Sequence, residues 1–275
     1  MEKKAVYFLL MAIFLLFLIA CEANREESDK SLLEPSDELI SQNLDIYLLI
    51  GQSNMAGRAE ITSDLRDTLE RVYLFNGSQW EKASNPLNKY SNTRKSIDMQ
   101  KLGPGYTFVR TLSQHIDNDI GLVVNARGGS SIEEWQKGYT GENDFDLYEK
   151  ALERIKKAAS DGTIKGIIWH QGESNQSRSS SYMDSLIKLV GDIRSDLGMP
   201  DLYFVAGQIG QWRNGSIDIN KVIKQIPQKI DSAGYVVADG LTPLNEDYTD
   251  PHFDSRSQKI LGERYAWEVL NKVYN

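Results

Sequence analysis

Cysteine and histidine are the scarce residues of this chain. Its 275 residues include one cysteine, Cys21, and three histidines, His115, His170 and His252. One cysteine excludes an intrachain disulfide framework and any multi-cysteine zinc or iron–sulfur site. His170 and Glu173 have a chelating spacing, but no second histidine lies near them in the sequence, so no metal is expected. Neither G-x-x-x-x-G-K-[ST] nor G-x-G-x-x-G occurs at Gly128-Gly129, which argues against a phosphate cradle. No cofactor is expected. Basic clusters are lacking as well. The formal net charge is -8, and an acidic chain without a Lys/Arg patch has no electrostatic footprint for nucleic acid.

One long apolar run is present, near the start. Lys3 and Lys4 precede Ala5 to Ala20, a stretch without a charged residue. It falls short of the ~20 apolar residues a spanning helix needs, and a basic start before an apolar core reads as an export signal. The run ends Leu18-Ile19-Ala20-Cys21, which resembles the lipobox of bacterial lipoproteins. Residues 1–20 are therefore expected to be a signal peptide, with Cys21 lipidated and holding the protein on a membrane of the cell envelope. Residues 21–44, rich in Glu, Asp, Ser and Asn, read as a flexible tether. That leaves 45–275 as one domain.

Inside that domain, short apolar runs recur at Ile46–Ile50, Ile120–Val124, Ile164–Trp169, Leu202–Ala206 and Tyr235–Ala238. Continuous runs suit strands buried on both faces of a parallel sheet. Helical spacing lies between them: Tyr148, Leu152, Ile155 and Ala159; then Tyr182, Leu186, Leu189, Ile193 and Leu197. Phe108, Leu112 and Ile116 suggest another helix. Leu261, Tyr265 and Val269 mark a last one, with Asp254 or Ser255 as N-cap. Alternating strands and helices predict a three-layer α/β/α domain. Asn76-Gly77 between Val72–Phe75 and Gln79–Glu81 predicts a small hairpin.

Ligands of parallel α/β sheets bind at the carboxyl ends of the strands. Ser53 follows the first strand directly. It is placed to present a hydroxyl there, and equally placed to cap a turn. A serine nucleophile needs a base. His252, in the loop before the last helix, falls on the same side of a parallel sheet. His170 ends another strand and competes, although a hydrogen-bonded structural role suits it better. His115 lies in a helical pattern. Asp250 and Asp254 flank His252, and either could orient the imidazole.

Four segments in order carry a resemblance. Ile50-Gly51-Gln52-Ser53-Asn54-Met55-Ala56-Gly57, Asn125 to Trp135, Trp169-His170-Gln171-Gly172-Glu173-Ser174, and Pro251-His252-Phe253-Asp254 through Ala266 resemble the blocks of the SGNH hydrolase superfamily. More narrowly, they resemble its branch of sialate O-acetylesterase-like proteins and acetylxylan esterases (carbohydrate esterase family 6). The resemblance implies a flavodoxin-like fold with five parallel strands. It implies a carbohydrate O-acetylesterase whose substrate is an acetylated sugar, with Ser53 as nucleophile and His252 as general base. It also implies oxyanion donors at the Ser53 N–H, Gly129 and the Gln171 amide. Asp250 is the expected acid, although the family places its aspartate three residues before the histidine, where Thr249 stands; Asp247 is an alternative. Gln52, Trp135 and Glu173 are the candidate substrate contacts, with Trp135 equally suited to the core. A non-catalytic glycan-binding protein and a lipase or thioesterase are the competing readings.

Overall fold

In a computed structural model, residues 43–275 are described, apart from Asn143 and Asp247. The expected signal peptide, Cys21 and most of the expected tether lie outside the described residues, as does the alternative acid Asp247. Among the described residues, no helix is long and apolar enough to cross a membrane.

The strands are β1 (Leu44–Gly51), β2 (Val72–Phe75), β3 (Trp80–Lys82), β4 (Ile120–Val124), β5 (Gly162–His170), β6 (Tyr203–Gly207) and β7 (Ala233–Val236). All five apolar runs became strands. The first begins at Leu44, inside the expected tether, because that leucine is fully buried. The last sits two residues earlier than the run that announced it. The sheet has seven strands rather than the expected five, in the order β3-β2-β4-β1-β5-β6-β7. The Asn76-Gly77 hairpin accounts for the difference. Its β2 pairs parallel with β4, and β3 pairs antiparallel with β2, so the hairpin extends the main sheet instead of standing apart.

The helices are α1 (Ser53–Ala56), α2 (Gly105–Ser113), α3 (Leu147–Ala158), α4 (Ser179–Leu197), α5 (Ser216–Ile223), α6 (Ile226–Lys229) and α7 (Ser255–Val273). Asp254 caps α7, its carboxylate accepting the Ser257 N–H at 2.7 Å. Such a cap is worth roughly 1 kcal/mol.

Every residue of β1 is buried, as a central strand covered on both faces requires. Alternate side chains leave a strand on opposite faces. Tyr47 and Leu49 join the core that holds Phe108 of α2 and Tyr265 of α7, and Tyr47 meets Phe108 edge to face at 5.3 Å. Leu48 and Ile50 face Trp135 together with Tyr148 and Ala151 of α3 and Ile193 of α4.

This topology places the site. The chain runs from β1 toward β2 and β4 on one side, then crosses to β5 on the other. The loops after β1, β4 and β5 therefore meet where the strand order reverses, the place where such sheets bind ligands.

Candidate active site

Gly51 ends β1 opposite His170, at φ +132°. A Cβ there would run into the His170 carbonyl, so only glycine lets the chain turn out of the sheet at this point. Ser53 is the first residue of α1, where a backbone N–H has no partner within the helix.

His252 Nε2 lies 2.8 Å from Ser53 Oγ. Its Nδ1 lies 2.5 Å from Asp250 Oδ1, which also accepts the His252 backbone N–H at 2.8 Å. Two residues of spacing therefore suffice for Asp250 to reach the imidazole. Asp254, the other flanking carboxylate, is occupied as the cap of α7 and accepts the Thr242 hydroxyl. Serine, histidine and aspartate form one continuous chain of hydrogen bonds, the arrangement that lets an imidazole take a hydroxyl proton. Burial is the main influence holding the His252 pKa below the ordinary histidine value. Asp250 opposes that shift, and Arg58 and Arg213 reinforce it.

The expected oxyanion donors fare unevenly. The Ser53 N–H begins its helix and is free of it. In the second block Gly128 lies beside the nucleophile, next to the expected Gly129. A Cβ on Gly128 would lie 3.5 Å from Ser53 Cβ and collide with the Arg58 guanidinium, whereas one on Gly129 would meet Lys95 Nζ at 3.5 Å. Gln171 is fully buried, and its amide donates to Ser130 O at 3.1 Å and to Asn175 Oδ1 at 2.7 Å. An amide has two hydrogens, and both are engaged within the protein, so donation to an oxyanion would require Gln171 to give up one of these bonds.

None of the three expected substrate contacts faces solvent. Gln52 is buried, with its Oε1 accepting the Ser174 N–H at 3.3 Å. Trp135 is fully buried, its indole donating to Ser130 Oγ at 2.9 Å and its ring lying edge to face with Trp169 at 5.6 Å. It is the core tryptophan of the two alternatives. Glu173 has a side chain only 4% exposed, and its Oε1 accepts from Asn54 Nδ2 at 2.6 Å.

Sequence reasoning overlooked several residues. Asn54, next to the nucleophile, reaches both neighbours of His252: its Nδ2 donates to Pro251 O at 3.2 Å, and its Oδ1 accepts from Phe253 N at 3.1 Å. Trp212 donates its indole N–H to Asp250 O at 2.8 Å and packs edge to face on Phe253 at 5.3 Å. Arg58 donates to Gly57 O at 2.6 Å and Met99 O at 3.0 Å. Of these, Asn54 alone carried a signal, its adjacency to Ser53. A cleft away from the site is lined by Ile164, Met199, Leu202 and Lys272, at the amino ends of β5 and β6. Among the described residues, no group of three or more His, Cys, Asp or Glu could hold a metal ion.

A mostly parallel α/β sheet with a serine, a histidine and an aspartate assembled at its switch point defines a hydrolase-like architecture. Residues 43–271 match the family of carbohydrate esterases described as sialic acid-specific acetylesterases, and the chain belongs to that family. A probable carbohydrate esterase of Arabidopsis thaliana is 31% identical over 249 residues, spanning 82% of this chain and 90% of that protein. The crystal structure of an Arabidopsis thaliana protein superimposes with a TM-score of 0.73 at 27% identity, over 84% of this chain and 99% of that one. A carbohydrate acetylesterase from Xanthomonas citri shares the fold, with a TM-score of 0.64 at 20% identity over 84% of this chain and 57% of that one.

Proposed function

We propose that this protein is a carbohydrate O-acetylesterase working through a serine acyl-enzyme. The observation that carries the reading is the unbroken Ser53–His252–Asp250 hydrogen-bond chain. His252 Nε2 takes the Ser53 proton as Oγ attacks the ester carbonyl, and the same proton then goes to the departing sugar hydroxyl. Water, deprotonated by His252, releases acetate from Ser53. The Ser53 N–H and the backbone at Gly128 stabilise the tetrahedral oxyanion, each donor contributing roughly 3 kcal/mol. Acetylated carbohydrate is the substrate class, a choice supported by family membership and by the carbohydrate acetylesterase of Xanthomonas citri that shares the fold. Helices against both faces of β1 support the three-layer arrangement of the domain. The N-terminal pattern ending at Cys21 supports export and lipid anchoring at the cell envelope.

The test is Ser53→Ala, assayed for acetate release from acetylated xylan oligosaccharides and for hydrolysis of 4-nitrophenyl acetate. The variant is expected to lose at least ~10⁴-fold in kcat with its thermal midpoint unchanged. Turnover equal to wild type would remove Ser53 from the mechanism.

A further inference from the structure

His170 and Glu173 form a second histidine–carboxylate pair that the reaction does not use. His170 is fully buried and the Glu173 side chain nearly so. The hydrogens of this cluster can be assigned from its partners. Tyr265 donates its hydroxyl hydrogen to Trp169 O at 2.7 Å. It can therefore only accept from His170 Nδ1, 3.0 Å away, so the His170 proton sits on Nδ1 and Nε2 is a bare lone pair. Burial lowers the pKa of this imidazole to about 3, which keeps it neutral. Nε2 has no hydrogen-bond partner. Glu173 Oε2 has none either, and Glu173 Oε1 lies 3.9 Å from His170 Nε2.

An ionised Glu173 would set a full negative charge beside a neutral imidazole, with the Asn54 amide at 2.6 Å and its own backbone N–H as donors but, among the described residues, no cation in an ion pair with it. Buried charges persist when paired, and unpaired carboxyls instead keep their proton. The groups facing Glu173 supply no close cation. They are His170 at the end of β5, Asn54 on α1, Tyr182 on α4, Tyr265 on α7 and Arg213 in the loop before α5. Arg213, the one cation among them, acts at a distance that yields no ion pair among those found.

We propose that Glu173 is a positioning residue that works as a neutral carboxylic acid, bracing Asn54 so that Asn54 holds the His252 loop against Ser53. The carboxyl C=O accepts the Asn54 amide, which puts the acid hydrogen on Oε2, the buried oxygen without a hydrogen-bond partner. Asn54, filled at Oδ1 by Phe253 N and by Gln258 Nε2 at 3.0 Å, grips the residue on each side of His252. Glu173 thus acts on the proposed esterase reaction through Asn54, without touching substrate.

The sign of the pH effect follows. Burial raises the Glu173 pKa from 4.5 to about 7, its own backbone N–H, the Asn54 bond and Arg213 opposing the shift in that order. The folded state therefore binds this proton more tightly than the unfolded one. Its stabilisation is complete below about pH 4.5 and is lost as pH rises to about 7.

The experiment compares the full chain with Glu173→Gln, which replaces the acid by a neutral amide of the same shape. The infrared difference spectrum at about pH 6 should contain the carbonyl band of a protonated carboxylic acid in wild type, absent from the variant. The wild-type thermal midpoint should fall relative to that of the variant as pH rises from about 4.5 to about 7. No acid band, or parallel midpoints across that range, overturns the neutral acid. For positioning, Glu173→Leu should lower kcat on 4-nitrophenyl acetate by ~30-fold with little change in KM, while Glu173→Gln retains at least about half of kcat. Equal kcat in wild type and Glu173→Leu overturns that role. If the leucine variant does not fold, the alkaline limb decides: kcat declines in wild type as Glu173 ionises and holds in Glu173→Gln, and coincident profiles overturn the proposal. The inference rests on the esterase reading for its kinetics alone. A wild-type protein that hydrolyses no ester defeats that reading, while the infrared and thermal results still decide the proton.

Discussion

His252 with Asp250 and His170 with Glu173 are the same two chemical groups in different settings. The first pair touches at 2.5 Å, with side chains 19% and 22% exposed. The second stands 3.9 Å apart, with side chains 0% and 4% exposed. Partial exposure of the first pair gives the imidazole a route for proton exchange. Burial of the second favours a neutral imidazole and a neutral acid. Residue type alone therefore does not distinguish a working pair from a structural one. Solvent access and the destination of each hydrogen do.

The comparison can be broken most forcefully at Asp250. Asp250→Asn keeps the shape but removes the acceptor that holds the His252 tautomer. A loss of ~10⁴-fold in kcat is expected, measured on 4-nitrophenyl acetate beside an unchanged thermal midpoint. Wild-type turnover would show that the close spacing of Asp250 and His252 has no catalytic consequence.

A smaller effect appears in the pH profile. The pKa of His252 lies below the ordinary histidine value, so its neutral, base-competent form persists into more acid solution. The acid limb of kcat/KM should consequently fall below that of a free imidazole, at about pH 6.5. Asp250 opposes the lowering, so the residual activity of Asp250→Asn should have its limb shifted further down. A wild-type limb above about pH 6.5 would overturn burial as the dominant influence, and a limb that moved up in Asp250→Asn would overturn the opposing effect of Asp250.

The seam between the loops gives a gentler test. Trp212→Phe preserves the packing on Phe253 but removes the indole bond to the Asp250 carbonyl. A drop of ~10-fold in kcat with an unaltered KM is expected from steady-state kinetics, as a slightly displaced acid would produce. The smallest kinetic effect belongs to Trp135→Phe. Its lost bond to Ser130 should cost about 1 kcal/mol of stability by denaturant unfolding, with KM for acetylated oligosaccharides unchanged. A raised KM would restore Trp135 to the sugar site.

The sheet was legible wherever the apolar runs were continuous. β1, β4, β5 and β6 stand on or within two residues of the runs that announced them, because strands buried on both faces need apolar residues at every position. β2 and β3 were legible as a hairpin but not as part of the sheet, since register with β4 is decided by partners more than forty residues away. α5 went unannounced: it is only eight residues long, too short for a clear period. At the site, three histidines left few choices; strand ends made Ser53 and His252 candidates, and the resemblance gave them their expected roles. The sequence could not say where the polar atoms of Gln171, Gln52 and Glu173 go, nor choose between the two roles open to Trp135, for one physical reason. A sequence shows which hydrogens a side chain owns, but not which neighbours have already taken them.

Asn54 spans 199 residues of chain to reach Phe253, and Ser53 spans as many to reach His252. The two halves of the site are thus made at opposite ends of the domain, and the second emerges just before the final helix. A nascent chain in which His252 has not yet been made has Ser53 without the base proposed for it. For the finished molecule, ester turnover reports on closure of the whole domain, since no shorter segment contains both groups.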